Sequence, residues 1–398
     1  MNAFRIIFMK EMTDTLRDRR TLVFMILVPL LLFPVLIGVV SKIQTSQMRK
    51  AEEKTLRVGL ITNGSVLGFR ELLATAPGYR VVEGFPADST VNWLGSDRLD
   101  AVVSFPPGFD AEVAGLRAGT LHLFFKSSED FDIAKRRLNT LVRQFEKRLV
   151  GERFARLKLD QGIVEAIRVE EHDVASMKER LGKTIGGFIP YLFVLFCFLG
   201  CVYPATDLAA GEKERGTIET LLTAPVSRFE VLMGKFAVVV VAGLVSAVVA
   251  MVGLYAGVRL TTEIPPEILR TILGILDLQS VLLTLSLLLP LAVLFAALLL
   301  SLSFFARSYK EAQTLMSPVM IVIFVPVVIG MLPGVVLDAV TALVPILNVS
   351  LATKEIIAGT IKPGLLLEVY LSSFGLAAAS LWGCAWWFER EETIFRGN

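Results

Sequence analysis

The sequence predicts an α-helical polytopic membrane protein, with six transmembrane helices and an extracytoplasmic α/β domain inserted between the first and second. Three observations predict it. Of 398 residues, 54% are hydrophobic and mean hydropathy is +0.63, whereas soluble domains hold about 45–50% apolar residues even with glycine counted. Six stretches are long and apolar enough to cross ~30 Å of hydrocarbon as helix, where internal hydrogen bonds must replace water. Between the first two lies a polar insert of domain size. The net charge of only +2 supplies no global field for nucleic acid or an acidic partner.

In chain order, residues 1–20 contain FRIIFMKEMTDTLRDRR, with Phe4, Ile7, Phe8, Met12 and Leu16 at three- and four-residue spacing. This pattern predicts a helix lying along the cytoplasmic leaflet. Residues 21–40 form the first span. Its apolar run exceeds that of a signal peptide, and VSKIQTS lacks a small-residue cleavage pattern, so it reads as an uncleaved anchor. Residues 41–183 form the insert, in which TLRVGLIT, YRVVEG, DAVVSF and TLHLFF read as strands between helical pieces FRELLATA and PPGFDAEVAGL. A helical period follows from Ile133 to about Leu159, and its basic residues read as a solvated face.

Residues 184–398 carry the remaining spans, approximately Ile185–Ala205, Phe236–Val258, Val281–Phe305, Pro318–Leu332 and Leu365–Phe388. Six spans place both termini on one side. Arg5, Lys10, Arg17, Arg19, Arg20, Lys213, Arg215, Arg228, Lys235, Arg307, Lys310, Arg390 and Arg396 share that side, against Arg259, Arg270, Lys354 and Lys362 opposite. By the positive-inside rule the termini are cytoplasmic. Cys197, Cys201 and Cys384 fall inside spans and read as buried apolar residues.

The segment 211–227 interrupts the apolar pattern with GEKERGTIETLLTAPVS. Gly216 breaks the charged run, Glu219 suits the positive end of a helix dipole, and Ala224 before Pro225 ends any helix there. A two-turn helix from Thr217 presents Ile218, Leu221 and Leu222 as one stripe. Ser227 and Glu230 have capping-box spacing for the next helix. The result is a rigid cytoplasmic elbow with a docking face, which a merely solvating loop does not require. ARSYKEAQTLMSP, with Arg307, Lys310 and Glu311, offers a second contact.

EKERGTIETLLTAPV, followed by Gly234–Lys235, resembles the signature of ABC-2 type transporter permeases. KEMTDTLRDRRTLVFMILVPLLLFP, FFARSYKEAQT and VPILNVSLATKEIIAG more narrowly resemble the NatB-like permeases of sodium-exporting ABC systems. The resemblance implies an ABC-2, type V exporter-like fold and a coupling helix gripped by a separate ABC ATPase. On that reading Glu212, Glu214, Arg215, Gly216, Thr217, Glu219, Leu221, Leu222 and Pro225 carry the coupling, joined by Arg307, Lys310 and Glu311. ATP and Mg²⁺ are used by the partner, and this chain binds no cofactor. A second permease subunit, identical or different, completes the path in a bacterial inner membrane, among its lipids.

The residues agree that the motor lies elsewhere: Gly182–Lys183–Thr184 has only the tail of a P-loop, with Met177 at the place of the first glycine. No nucleic acid is expected. Within the six predicted apolar stretches the only Asp or Glu is Glu368, near the outer entry of the sixth, which reads as interfacial, so a sodium path would need hydroxyls such as Thr284 and Ser286, or carbonyls freed near Pro29, Pro34, Pro290 and Pro326. The proline-bent first and fifth spans are candidate moving walls. A lipophilic or drug-like cargo, or a receptor with an outer ligand-binding domain, are the alternatives. A metalloprotease reading of Glu391, Glu392 and Arg396 fails because the only histidines, His122 and His172, lie in the insert.

Overall fold

The computed structural model describes residues 3–96, 98–126, 133–158, 187–217, 225–261, 269, 272–274, 277–332 and 334–388. The chain divides into two compact units, residues 1–42 with 174–398, and residues 43–173.

In the larger unit, six helices among the described residues are long and apolar enough to cross a membrane: Arg19–Ile43, Phe188–Glu214, Arg228–Leu260, Leu278–Phe305, Tyr309–Met331 and Pro363–Phe388. The second to fourth bury most of their side chains. The first, fifth and sixth leave theirs largely exposed, including Leu31 and Val35 of the first and Ile321 and Val322 of the fifth. Such faces suit lipid.

Small residues bring the central helices together. A Cβ on Gly200 of the second span would stand 2.5 Å from Ser246 Cβ and 3.1 Å from Gly243 Cα of the third. A Cβ on Gly243 would meet Cys201 Sγ at 2.4 Å. Only hydrogen fits at this crossing, as at small-residue helix contacts in membranes generally. Gly253 and Gly257 repeat the device against the first span.

The second span extends beyond the expected Ala205. Ser303 Oγ of the fourth span lies 3.3 Å from the Ala210 amide, which donates to it, and itself donates to the Thr206 carbonyl. This insertion into the hydrogen-bond ladder accompanies a π-helical turn over Asp207–Gly211, after which the helix resumes as Glu212–Glu214. The fifth span likewise begins earlier than the expected Pro318. Ser308 accepts from the Glu311 amide, starting the helix at Tyr309 and drawing Lys310 and Glu311 into its first turn.

Between the fifth and sixth spans, Leu347–Ala358 is a buried helix of 12 residues, about 18 Å long and too short to cross. Its entry is strained: Ile346 has φ +70°, costly for a β-branched residue. Asn348 holds the turn, donating to the Ala342 carbonyl and to Ser372 and Ser373 Oγ at 3.0–3.2 Å.

The smaller unit contains the four expected strands, β1 (Leu56–Ile61), β2 (Tyr79–Val82), β3 (Ala101–Ser104) and β4 (His122–Phe125), in the order β2-β1-β3-β4. The first three are parallel and β4 is antiparallel to β3. Leu56, Val58, Leu60, Ala101 and Val103 build the core with Phe69, Leu73, Leu138, Leu141 and Phe145 from the adjoining helices, including Ile133–Leu157.

Candidate coupling site

Four consecutive residues, Glu212–Lys213–Glu214–Arg215, tie the end of the second span to four different places. Glu212 Oε1 lies 2.6 Å from Lys235 Nζ at the start of the third span. Lys213 Nζ donates to the Phe304 carbonyl, satisfying an open acceptor at the end of the fourth span. Glu214 Oε2 accepts from the Tyr309 amide at 2.9 Å, capping the fifth span. Arg215 Nη1 turns back to Asp207 Oδ1 at 2.9 Å. The charged run is therefore a hub joining spans two to five.

At its centre is a buried cation. Lys235 is 0% exposed, and its partners Glu212 and Glu11 are 5% and 1% exposed. Glu11 Oε1 lies 3.3 Å from Lys235 Nζ and 3.1 Å from Lys10 Nζ. Lys10 in turn reaches Glu212 Oε1 at 4.0 Å and Asp14 at 3.7 Å. Glu212 Oε2 has no hydrogen-bond partner among the described residues. Charges so deeply desolvated persist only when paired.

Glycine explains how the N-terminal helix, Ala3–Arg17, reaches this cluster. A Cβ on Gly234 would stand 2.6 Å from Ile7 Cγ2, so the bare backbone admits Ile7 and brings Glu11 over Lys235. In the sequence Lys235 marks sidedness and belongs to the family signature, and nothing there singles out Glu11 as its partner. The signal available was helical spacing: Ile7, Glu11 and Thr15 form the buried face, while Phe4 and Leu16 of the expected apolar stripe are exposed.

Beyond the hub, Gly216 takes φ +70°, and its amide donates to the Lys213 carbonyl. It closes the preceding helix with a left-handed turn that glycine adopts without penalty. Thr217 Oγ1 donates to the Glu212 carbonyl at 3.3 Å. The two-turn helix expected to follow, with Glu219, Leu221 and Leu222, lies outside the described residues. Pro225 is exposed just past it. The capping box then forms as expected: the Glu230 amide donates to Ser227 Oγ at 3.2 Å, and the Ser227 amide to Glu230 Oε2 at 3.3 Å.

Of the second contact, Glu311 accepts from the Arg307 amide at 2.7 Å, completing the fifth-span cap, and the Arg307 and Lys310 side chains are exposed. A cavity of about 460 Å³ opens beside the hub, lined by Arg20, Tyr203, Asp207, Glu214, Arg215 and Tyr309.

The structure places the expected path residues as follows. Pro29 and Pro34 pack against the third span: a Cβ on Gly253 would meet the Pro29 carbonyl at 2.6 Å, and one on Gly257 the Pro34 nitrogen at 2.9 Å. The Leu30 carbonyl, deprived of its donor by Pro34, stands 2.8 Å from the same Gly253 position. Thr284 is buried. Ser286 Oγ donates to the Leu283 carbonyl at 2.7 Å and is hydrogen-bonded to Tyr370 OH.

A bundle of six helices long and apolar enough to cross a membrane, with a buried charged hub at the end of the second, defines a polytopic membrane protein. The chain belongs to the ABC-2 family of transporter proteins, whose model matches residues 19–386. It is an ABC transporter permease, a membrane subunit. Among named proteins it is similar to the ABC transporter permease protein NatB of Bacillus subtilis (strain 168), 28% identical over 370 residues, covering 91% of this chain and 92% of that protein.

Proposed function

We propose that this permease exports sodium ions, driven by a separate ATPase that grips the elbow 211–227. The observation that carries the coupling half of the reading is the hub: the first residues of the elbow, Glu212–Glu214, are hydrogen-bonded or ion-paired to spans three, four and five. A push on residues 217–224 would reach those helices together. ATP and Mg²⁺ act in the partner. Two permease subunits, identical or different, enclose the path, and both termini face the cytoplasm of a bacterial inner membrane. The apolar faces of the first and fifth spans suit lipid or that second subunit.

The sodium half rests on the resemblance to NatB-like permeases and is supported by the similarity to NatB. A lipophilic cargo is the second reading, favoured by the engagement of the Ser286 hydroxyl with Tyr370 and Leu283. Radioactive sodium flux in proteoliposomes tests the choice. With the ATPase and ATP, sodium should accumulate against its gradient on the side away from the ATPase, and the permease alone should not pump. Pumping by the permease alone would overturn the coupling. ATP-stimulated transport of a lipophilic dye with no sodium flux would replace the cargo.

A further inference from the structure

The loops beyond the carboxyl ends of β1 and β3 enclose a cavity of about 280 Å³, for which the transport reading has no use. Its place follows from topology. The chain leaves β1 for β2 on one side and returns to β3 on the other, so the β1–β3 gap is where the strand order reverses. At such a switch point the two loops diverge and leave a crevice, the usual ligand position in open parallel sheets.

The walls are built with care for shape. Gly64 leaves room that a side chain would fill, since a Cβ there would stand 2.6 Å from Asp110 Oδ2. Val66 and Leu67 are held at φ +47° and +48°, a left-handed conformation that is unfavourable for both, Val66 being β-branched. Two side chains hold this strained segment. Asp110 Oδ2 accepts from the Val66 amide at 3.1 Å and from Ser65 Oγ at 3.0 Å, and Arg148 donates to the Leu67 carbonyl at 2.8 Å.

The lining is selective in charge. Phe105, Pro107 and Phe109 supply apolar surface, Asn63 a polar side chain, and Asp110 the only ionisable group; none of the lining residues is basic. Asp110 Oδ1 is shielded and has no donor among the described residues. The carboxylate can accept beyond the two donors already on Oδ2, and the ammonium of a ligand in the crevice would supply a further one. An anion would meet the carboxylate with no compensating cation.

We propose that this crevice binds a small organic ammonium ion, its apolar part against Phe105, Pro107 and Phe109 and its ammonium group on Asp110. The volume lies just under the ~300 Å³ at which drug-sized sites begin. It therefore suits an amine of modest size rather than a peptide.

The test uses the full chain in lipid nanodiscs and a matched series of probes: phenethylamine, 2-phenylethanol and phenylacetate. Hydrogen exchange is read by mass spectrometry over residues 62–68 and 105–111. Phenethylamine should slow exchange in both segments by several-fold, phenylethanol less, and phenylacetate not at all. Asp110→Asn should abolish the preference for the amine, and Asn63→Ala should weaken protection by phenethylamine, each variant being compared with its own unliganded chain. Absence of protection by phenethylamine, or equal protection by all three probes, overturns the proposal. The comparison within the wild-type chain stands even if Asp110→Asn fails to fold.

Discussion

Lys235 shows what one residue can be asked to do in this molecule. It lies within a span and is sealed from solvent, yet it holds two carboxylates from two other helices. Lys235→Met leaves Glu11 and Glu212 with the half-exposed Lys10 as their ion-pair partner among the described residues, and breaking a buried pair in this way costs about 3–5 kcal/mol. Thermal unfolding in detergent should show a large drop. The triple variant Glu11→Gln, Lys235→Met, Glu212→Gln should recover much of it, because no uncompensated charge remains. Asp100 makes a different kind of residue-scale prediction. Burial alone would raise its pKa, but Lys54 Nζ at 2.7 Å and the Arg57 amide at 2.8 Å outweigh this and hold the carboxyl below its ordinary value. The folded form therefore binds fewer protons than the unfolded one, so this stabilisation is complete above the ordinary carboxylate range of about pH 4 and is lost as pH falls through the depressed value. Exchange of β1 and β3 amides, corrected for intrinsic rates, should show that protection at about pH 7 is weaker in Asp100→Asn and that its acid dependence is flatter. Neither pairing was legible in the sequence. A lysine at the edge of an apolar run reads as a marker of sidedness, and its partners Glu11 and Glu212 are distant in the chain.

At the scale of the element, helix contacts depend on glycines whose importance appears only in three dimensions. Gly253 and Gly257 admit the backbone of the first span around Pro29 and Pro34, so those prolines serve a close crossing. Gly253→Val or Gly257→Val should force the helices apart and destabilise the protein by about 1–3 kcal/mol or more, and cysteines placed across the crossing should then cross-link less. Gly364→Ala, where an added Cβ meets nothing within 4 Å, is the control and should be silent. Much at this scale was legible: the spans, the four strands, the capping box at Ser227 and Glu230, and the long helix Ile133–Leu157 all follow from period and cap chemistry. The extension of the second span was not. It depends on Ser303 of another helix entering the ladder at Ala210, and no local pattern announces a partner that distant. The early start of the fifth span was partly visible, since Ser308 and Glu311 have the spacing of a capping box.

At the scale of the whole molecule, the charged run at the end of the second span acts inward, on its neighbouring spans. Glu212, Lys213 and Glu214 hold spans three, four and five, and Gly216 releases the chain into the elbow immediately afterwards. An ATPase gripping 217–224 would thus act on a rigid joint. Loosening the joint should leave ATP hydrolysis intact while transport falls: Glu214→Ala, which removes the hub's tie to the Tyr309 amide while Ser308 still caps the fifth span, should lower the number of ions moved per ATP. The most direct measurement is the ratio of ATP hydrolysed to sodium moved, in proteoliposomes holding the permease and its ATPase, for the wild type and for Leu221→Asp and Glu219→Arg. The account predicts that both variants insert and fold, that hydrolysis continues, and that transport per ATP collapses. An unchanged ratio in both variants would contradict it.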